Sequence, residues 1–295
     1  MSEFRRVGLI GVGLMGHGIA RNLLRHGHAL HFLDHPGNQP VEDLIVDGAV
    51  RHSSGAEVAA VAEVVILCVT GSPQVEAVLC EAGGVLEGLT PGTTVIDCST
   101  AIPSATVALA ERVEACGGRF CDAAMTRTPK EAEAGRLNLI VGAPPALYAE
   151  IRPLLTSFAE TISHVGPVGS GHRVKLLHNF VSLGFSAVLA EAAAAARRAD
   201  VAPEALIEVL GNGGGAGVVL ERLKPFILAD DASGFRFSLS NAGKDIGYYQ
   251  QMVEELGASH QAADGIAGLY RQAIEQGHGQ AAVPELVALL AEAPR

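Results

Sequence analysis

The sequence has no paired cysteines. Its five, Cys68, Cys80, Cys98, Cys116 and Cys121, are odd in number, and no two are spaced as CxxC. They read as reduced core thiols of a cytoplasmic protein, not as a disulfide framework. The spacing of zinc ligands is missing among the His and Cys residues as well, so no metal is expected. Positive charge is scarce: 21 Lys and Arg against 32 Asp and Glu leave a formal net charge of −11. A phosphate-rich polymer would be repelled on average, so neither nucleic acid nor an anionic membrane is an expected partner. No hydrophobic signal segment precedes the first strand, because MSEFRR leads straight into it. The most apolar later run, Ser182 to Ala196, contains Glu191 and ends at Arg197-Arg198. It is too short and too interrupted to span a bilayer and reads as a buried helix.

What is present describes an ordinary globular protein: 295 residues, 48% hydrophobic and 18% charged, with core enough for two domains. The chain is organised around Val7 to Asn22, VGLIGVGLMGHGIARN. An apolar run ending in Ile10 meets Gly11-Val12-Gly13-Leu14-Met15-Gly16, and a helical pattern follows with Leu14, Ile19 and Leu23 on one side. Strand, glycine turn and helix in that order suit a diphosphate, since amides and a helix N-terminus approach an anion closely only where no side chain intervenes. Gly11 permits the turn, Gly13 lets the backbone touch the pyrophosphate, and Gly16 lets the helix pack on its strand. About twenty residues on, a second strand, Ala29 to Leu33, ends in Asp34. Its carboxylate would hydrogen-bond the ribose hydroxyls of NAD and repel the 2′-phosphate of NADP, so NAD is the expected cofactor and NADP the lesser one. The competing reading is a glycine-rich loop that binds nothing.

Up to His164, short apolar runs alternate with helical stretches. Val64 to Val69, Thr94 to Asp97 and Arg119 to Asp122 read as buried parallel strands. Pro73 to Leu79, Pro103 to Cys116 and Pro144 to Phe158 read as helices, each with proline near its start. The alternation predicts an α/β Rossmann domain over residues 1–164, with a mostly parallel, doubly wound sheet covered on both faces. Val165 to Gly171 is a breaker cluster and marks the boundary. Residues 165–295 read as a second, all-helical domain. It begins with a long helix to Asp200 and continues through Pro203 to Leu210, Ala242 to Leu256 and Gln261 to Gln276. Gly211 to Gly217 is a mobile or tightly turned connection.

Ligands of a doubly wound sheet bind at the carboxyl ends of its strands. Those ends carry Gly11 to Gly16, Asp34, Thr70 to Pro73, Ser99-Thr100 and Asp122 to Thr128, mostly small or hydroxyl residues. The cofactor contacts expected there are Gly11, Val12, Gly13, Leu14, Met15, Gly16, Asp34, Val69, Thr70, Ser72, Val75, Ser99 and Thr100. Loops after strands are small and polar in any case, and for Thr70 to Pro73 that reading stands equally. In the second half, Lys175 and Asn179 are four apart on one helical face, next to the boundary where a cleft is expected. A lysine partly desolvated against a cofactor has its charged form disfavoured and can exchange a proton with a hydroxyl. By periodicity alone it reads equally as a snorkelling surface residue. His172 and His178 flank it, and His178 at i+3 shares its face, so a histidine acid or base is the alternative to the reading of both as satisfied helix residues.

Five ordered segments carry a resemblance: GLIGVGLMGHGIARNLLRHGH, SPQVEAVL at Ser72 to Leu79, IDCST at Ile96 to Thr100, GSGHRVKLLHN at Gly169 to Asn179, and FSLSNAGKDI at Phe237 to Ile246. Together they resemble the motifs of the β-hydroxyacid dehydrogenases, the family of 3-hydroxyisobutyrate dehydrogenase, tartronate semialdehyde reductase and, more distantly, 6-phosphogluconate dehydrogenase. The resemblance covers nearly the whole chain. It implies that Lys175 is the general acid or base, that Asn179 positions a small anionic hydroxy-acid or aldehyde substrate, and that Ser99 lies by the nicotinamide. It implies that Lys244 and Asp245 close the site from the helical domain, Lys244 also touching cofactor, and that the protein is a homodimer or homotetramer. His35 follows Asp34 where NADP-preferring relatives tend to carry an Asn-Arg pair, which again favours NAD.

One departure bears on substrate. Where most of the family reads Asp-x-Pro-Val-Ser-Gly-Gly, this chain reads Asp122-Ala-Ala-Met-Thr126-Arg127-Thr128. Thr126, Arg127 and Thr128 are therefore expected at the substrate's acid group, and the added cation suits a larger or more strongly acidic one. Sulfolactaldehyde reductases look similar here, with a Gly-Arg-Thr run. Arg127 alternatively points to solvent or pairs with Glu131. The expected activity is metal-independent hydride transfer between NAD and a small 3-hydroxy acid or its semialdehyde, with a sulfonated substrate as the alternative. An imine reductase is the competing enzyme class, against which Lys175 counts, and a catalytically silent dinucleotide-binding protein the competing non-enzyme.

Overall fold

The branched and apolar runs pair edge to edge. The computed structural model describes residues 5–292, so Met1 to Phe4, ahead of the first strand, lie outside the described residues. The strands are β1 (Arg6–Ile10), β2 (Ala29–Leu33), β3 (Val50–His52), β4 (Val64–Leu67), β5 (Thr94–Asp97), β6 (Arg119–Thr126), β7 (Leu137–Gly142) and β8 (Ala159–Gly166). They form one sheet in the order β3-β2-β1-β4-β5-β6-β7-β8. β1 to β6 are parallel, as the alternation predicts. β7 then runs antiparallel to β6, and β8 runs parallel to β7.

Helices α1 (Leu14–Arg25), α2 (Glu42–Val46), α3 (Gly55–Val61), α4 (Ser72–Cys80), α5 (Val85–Gly88), α6 (Pro103–Ala115), α7 (Pro129–Glu133) and α8 (Pro145–Leu155) connect the strands. One core joins Leu9, Ile66 and Cys121 of the sheet to Ile19 and Leu23 of α1 and Leu154 of α8. A second joins Ile10, Val65, Val95 and Phe120 to Leu79 of α4 and to Leu109 and Val113 of α6. Alternate residues of the same strands feed the two cores, which is why these strands are apolar throughout and legible as buried.

The reversal at β7 has a geometric consequence. Ile10 pairs with Leu67, Leu67 with Asp97, Asp97 with Asp122, Asp122 with Gly142, and Gly142 with Gly166. This row is the carboxyl edge of the parallel part. β6 continues past it to Thr126, opposite Asn138, so the β6–β7 hairpin and β8 stand beyond the edge and bring the chain back down to it at Gly166. The next helix, α9 (Ser170–Arg198), therefore starts at the ligand-binding edge.

The chain divides into two compact units between Lys175 and Leu176, inside α9. The second unit contains the rest of α9 with α10 (Pro203–Gly211), α11 (Val218–Ala229), α12 (Leu239–Glu255), α13 (Gln261–Ala273) and α14 (Leu286–Glu292). Its core packs Leu183, Ala187 and Ala190 of α9 against Leu223, Ile246 and Tyr270, and the Tyr270 hydroxyl donates to the Leu183 carbonyl at 2.8 Å. By length and apolarity α9 would qualify as a membrane span, yet half of its most apolar window is buried inside the protein.

Candidate active site

The glycines after β1 divide by what surrounds them. A Cβ at Gly11, whose φ is +98°, would run into the Cys68 carbonyl, and one at Gly16 would run into the carbonyl of Gly11. A Cβ at Gly13 would meet nothing within 4 Å. Gly13 opens α1, no side chain caps that N-terminus, and its first turn has no acidic residue. Open space over uncapped helical amides fits a diphosphate. Leu14 is largely exposed beside it and Met15 is half-buried, but Val12, expected at the cofactor, is fully buried with its N–H bonded to Asn38 and its carbonyl to Gln39 N, so it is a core residue of the turn and not a ligand contact.

Asn38, which sequence reasoning missed, ties the cradle to β2: its Nδ2 donates to the Leu33 carbonyl at 2.9 Å and its Oδ1 accepts from Val12 N at 3.3 Å. Asp34 follows β2 and donates its backbone N–H to the His52 carbonyl at 2.8 Å. Its carboxylate lies 3.6 Å from Nη1 of Arg51 on β3, with both side chains about half exposed (48% and 56%). Ser72, buried at the start of α4, accepts the Ile102 amide at 2.8 Å. Val69 is half-buried, Thr100 likewise, and Val75 is a core residue.

A buried polar group lies along the edge row. Asp97, Asp122 and His172 are fully buried. Both Asp122 oxygens accept backbone at the start of α9: Oδ1 from Gly169 N, just before the helix, and Oδ2 from His172 N in its first turn, each at 2.7 Å. A strand carboxylate thus caps the helix from a distance, where the dipole favours negative charge. Gly171 is what allows the approach, since its Cβ would press on the Ile140 carbonyl and on Oδ2 of Asp122. His172 Nδ1 bonds Thr106 Oγ1 at 2.7 Å, while its Nε2 has no hydrogen-bond partner among the described residues and lies 3.9 Å from Oδ2 of Asp97. Its helix position is satisfied at one ring nitrogen only. Burial pushes the Asp97 carboxyl above the usual carboxylate range, against the opposing pull of His172 and its bonds with Ser99. Asp97 Oδ1 accepts Ser99 N at 2.9 Å, and Ser99 Oγ accepts Val69 N at 3.1 Å, so β5 fixes the serine rigidly.

One turn along α9 from His172, half-buried Lys175 donates from Nζ to the Met125 carbonyl on β6 at 2.6 Å. Beyond Met125, Thr126 pairs with Asn138, and Arg127 adopts φ +80°, a conformation that glycine takes without strain. The Arg127 guanidinium donates to the Arg136 carbonyl at 2.6 Å and to Glu160 Oε2 at 2.5 Å. It does not pair with Glu131, which is taken by Thr128: Thr128 Oγ1 and N both donate to Glu131 Oε2, at 2.5 and 3.2 Å. The Thr128 hydroxyl bond holds the Glu131 carboxyl below its ordinary range.

In the helical unit, Asn179, Lys244 and Asp245 come together. Asn179 Nδ2 donates to Asp245 Oδ2 at 2.7 Å, and Lys244 Nζ lies 3.0 Å from Asp245 Oδ1 and 5.1 Å from the Tyr248 ring centroid. Asn179 and Asp245 are buried; Oδ2 of Asp245 is hydrogen-bonded, whereas among the described residues Oδ1 has the Lys244 ion pair but no aligned hydrogen bond.

Comparison with known proteins matches these features to a family. The model of the NAD binding domain of 6-phosphogluconate dehydrogenase matches residues 6–166. The chain belongs to the β-hydroxyacid dehydrogenase family. A second model, the NAD-binding region of NADP-dependent 3-hydroxyisobutyrate dehydrogenase, matches residues 169–290 of this family member. It is 32% identical to 2-(hydroxymethyl)glutarate dehydrogenase of Eubacterium barkeri over 84% of this chain and 82% of that protein. It is 30% identical to 3-sulfolactaldehyde reductase of Escherichia coli over 93% of this chain and 92% of that one. The fold is that of Mycobacterium tuberculosis 3-hydroxyisobutyrate dehydrogenase, with a TM-score of 0.86 at 24% identity over 98% of this chain and 99% of that one. The protein is an NAD(P)-dependent hydroxyacid dehydrogenase.

Proposed function

We propose that the dehydrogenase interconverts a small 3-hydroxy acid and its semialdehyde, using NAD, with Lys175 as general acid and base. The observation that carries this reading is the 2.6 Å bond from Lys175 Nζ to the Met125 carbonyl. That bond orients the amine, whose neutral form would take a hydroxyl proton on its lone pair in oxidation and whose ammonium form would return one to a developing alkoxide in reduction. When bound, the nicotinamide takes or supplies the hydride. Gly11 to Gly16, apart from Val12, would hold its pyrophosphate, Asp34 the adenosine ribose, and Val69, Thr70, Ser72, Val75, Ser99, Thr100 and Lys244 further parts of the cofactor. No metal is needed, because the ammonium supplies the polarisation.

Asn179 and Asp245, one hydrogen-bonded pair, are assigned to the substrate together with Ser99, Thr126, Arg127 and Thr128. The substrate's acid group is a plain carboxylate in the first reading, since the Arg127 guanidinium is already engaged by Glu160. The second reading, a sulfonated aldehyde, draws on the 30% identity to 3-sulfolactaldehyde reductase and requires Arg127 to leave Glu160.

An NADH assay, with NAD and NADP in parallel, over 3-hydroxyisobutyrate, D-glycerate, L-serine, L-threonate, 4-hydroxybutyrate and 2,3-dihydroxypropanesulfonate tests the proposal. Turnover of a carboxylate with NAD supports the first reading. Selective turnover of the sulfonate supports the second and makes Arg127 the specificity residue. Silence across the panel by folded, nucleotide-binding protein counts against both.

A further inference from the structure

We propose that Arg51 is a second determinant of cofactor choice: held on Asp34, it is the cation that would receive a 2′-phosphate once that carboxylate is removed. The inference rests on the reading of Asp34 as the ribose ligand. In dinucleotide sites of this architecture an acid after the second strand takes the ribose 2′-hydroxyl, or an arginine nearby accepts the phosphate that replaces it. Here both chemistries are present. Asp34 follows β2, and Arg51 stands on the adjacent edge strand β3, with Nη1 3.6 Å from Asp34 Oδ2. The position is fixed by backbone on both sides: Asp34 N donates to the His52 carbonyl, and Phe32 is the register partner of Arg51.

An ion pair between half-exposed groups is weak, so the guanidinium is available rather than locked. The acid nevertheless decides the outcome while it is present. A carboxylate repels a 2′-phosphate directly and offsets the attraction of its neighbour, whereas it accepts hydrogen bonds from free ribose hydroxyls. Removing the acid converts a neutral pair into a lone cation whose planar fork matches phosphate oxygens. The sequence gives no hint of this partnership, because Arg51 comes seventeen positions after Asp34 on a three-residue strand that carries no hydrophobic pattern.

The test uses two probes that differ only in the 2′-phosphate, adenosine 5′-monophosphate and adenosine 2′,5′-bisphosphate. They are titrated calorimetrically into wild type, Asp34→Ser, Asp34→Asn, Arg51→Ala and the Asp34→Ser/Arg51→Ala double variant. The wild type is expected to favour the monophosphate. Asp34→Ser should tighten the bisphosphate by about tenfold or more, and the double variant should lose most of that gain. Equal bisphosphate affinity for Asp34→Ser and the double variant would overturn the assignment, as would no gain in both Asp34 variants. A wild type that already favours the bisphosphate sinks the NAD reading instead. Arg51 then stands if Arg51→Ala alone abolishes that preference and falls if it does not. Parallel kinetics with NAD and NADP should rank the variants in the same order.

Discussion

Nε2 of His172 and Oδ2 of Asp97 face each other across 3.9 Å in the fully buried interior, and neither atom has a hydrogen-bond partner among the described residues. Desolvation raises the Asp97 carboxyl, with His172 pulling the other way. The unfolded chain therefore releases this proton at lower pH than the folded chain does. Stability contributed here is complete below the ordinary carboxylate value of about 4 and is lost as pH rises toward the raised folded value. Asp97→Asn keeps an acceptor for Ser99 N and removes the titration. Urea midpoints of variant and wild type, measured at intervals from about pH 4 upward, should diverge in favour of the variant as pH rises. Parallel curves would mean that Asp97 does not titrate in that window.

Lys175→Ala should lower kcat by roughly a thousandfold, within the range general acid–base groups contribute, while adenosine 5′-monophosphate binds as before. Lys175→Arg should not restore turnover, because a guanidinium stays protonated. Single-turnover rates together with calorimetry on the same samples separate the two effects, and unchanged turnover in the alanine variant would remove Lys175 from the mechanism.

Gly13 and Gly16 should fail in opposite ways. Gly16→Ala forces a methyl onto the Gly11 carbonyl and should cost about 1–3 kcal/mol of stability, as overpacking does. Gly13→Ala meets no atom of the folded chain and has an extended φ of −79°. Its melting temperature should hold while nucleotide affinity drops. Thermal melts paired with calorimetry read both, and a destabilised Gly13→Ala with normal affinity would contradict the open cradle.

Arg127 holds φ +80° at the expense of strain, offset by its bond to Glu160. Arg127→Gly relieves about 1 kcal/mol of strain and loses an exposed ion pair worth about 0–1 kcal/mol, so net stability should change by less than about 1 kcal/mol. Turnover of a carboxylate substrate should persist and any turnover of a sulfonate should vanish. Loss of both in a folded variant would make the guanidinium a general anion clamp.

The parts of the site that sequence made legible are local. The glycine turn is contiguous, Asp34 ends a strand, and Lys175 with Asn179 shares a helical face at a spacing of four. What escaped depends on partners far along the chain. Asp122 caps α9 through His172, fifty positions away, and nothing near either residue announces it. Arg127 has an acid four positions on, yet that acid is captured by Thr128, and the guanidinium turns to Glu160 on β8 instead. β8 itself, AETISHVG, is exposed at half of its positions and buried at one, and so lacks the apolar run that reveals β4 or β5. The direction of β7 is likewise silent, since LNLIVG has no polarity of its own and only pairing with β6 reverses it.

The row from Ile10 to Gly166 also says how this protein transmits a change in chain length. One residue added between Arg119 and Asp122 would slide the carboxylate by about 3.3 Å and turn it to the other face of the sheet. α9 would then lose the acceptor for its first turn and, with it, the placement of Lys175. The same residue added between Arg127 and Arg136 falls beyond the edge and leaves the row in register, but it displaces α7, whose Ala132 is buried and whose Ala132 and Glu133 carbonyls accept from Asn22 Nδ2. The two sides of Met125 therefore transmit a length change to different helices: ahead of Asp122 it reaches α9 through strand register, and after Arg127 it reaches α1 through α7.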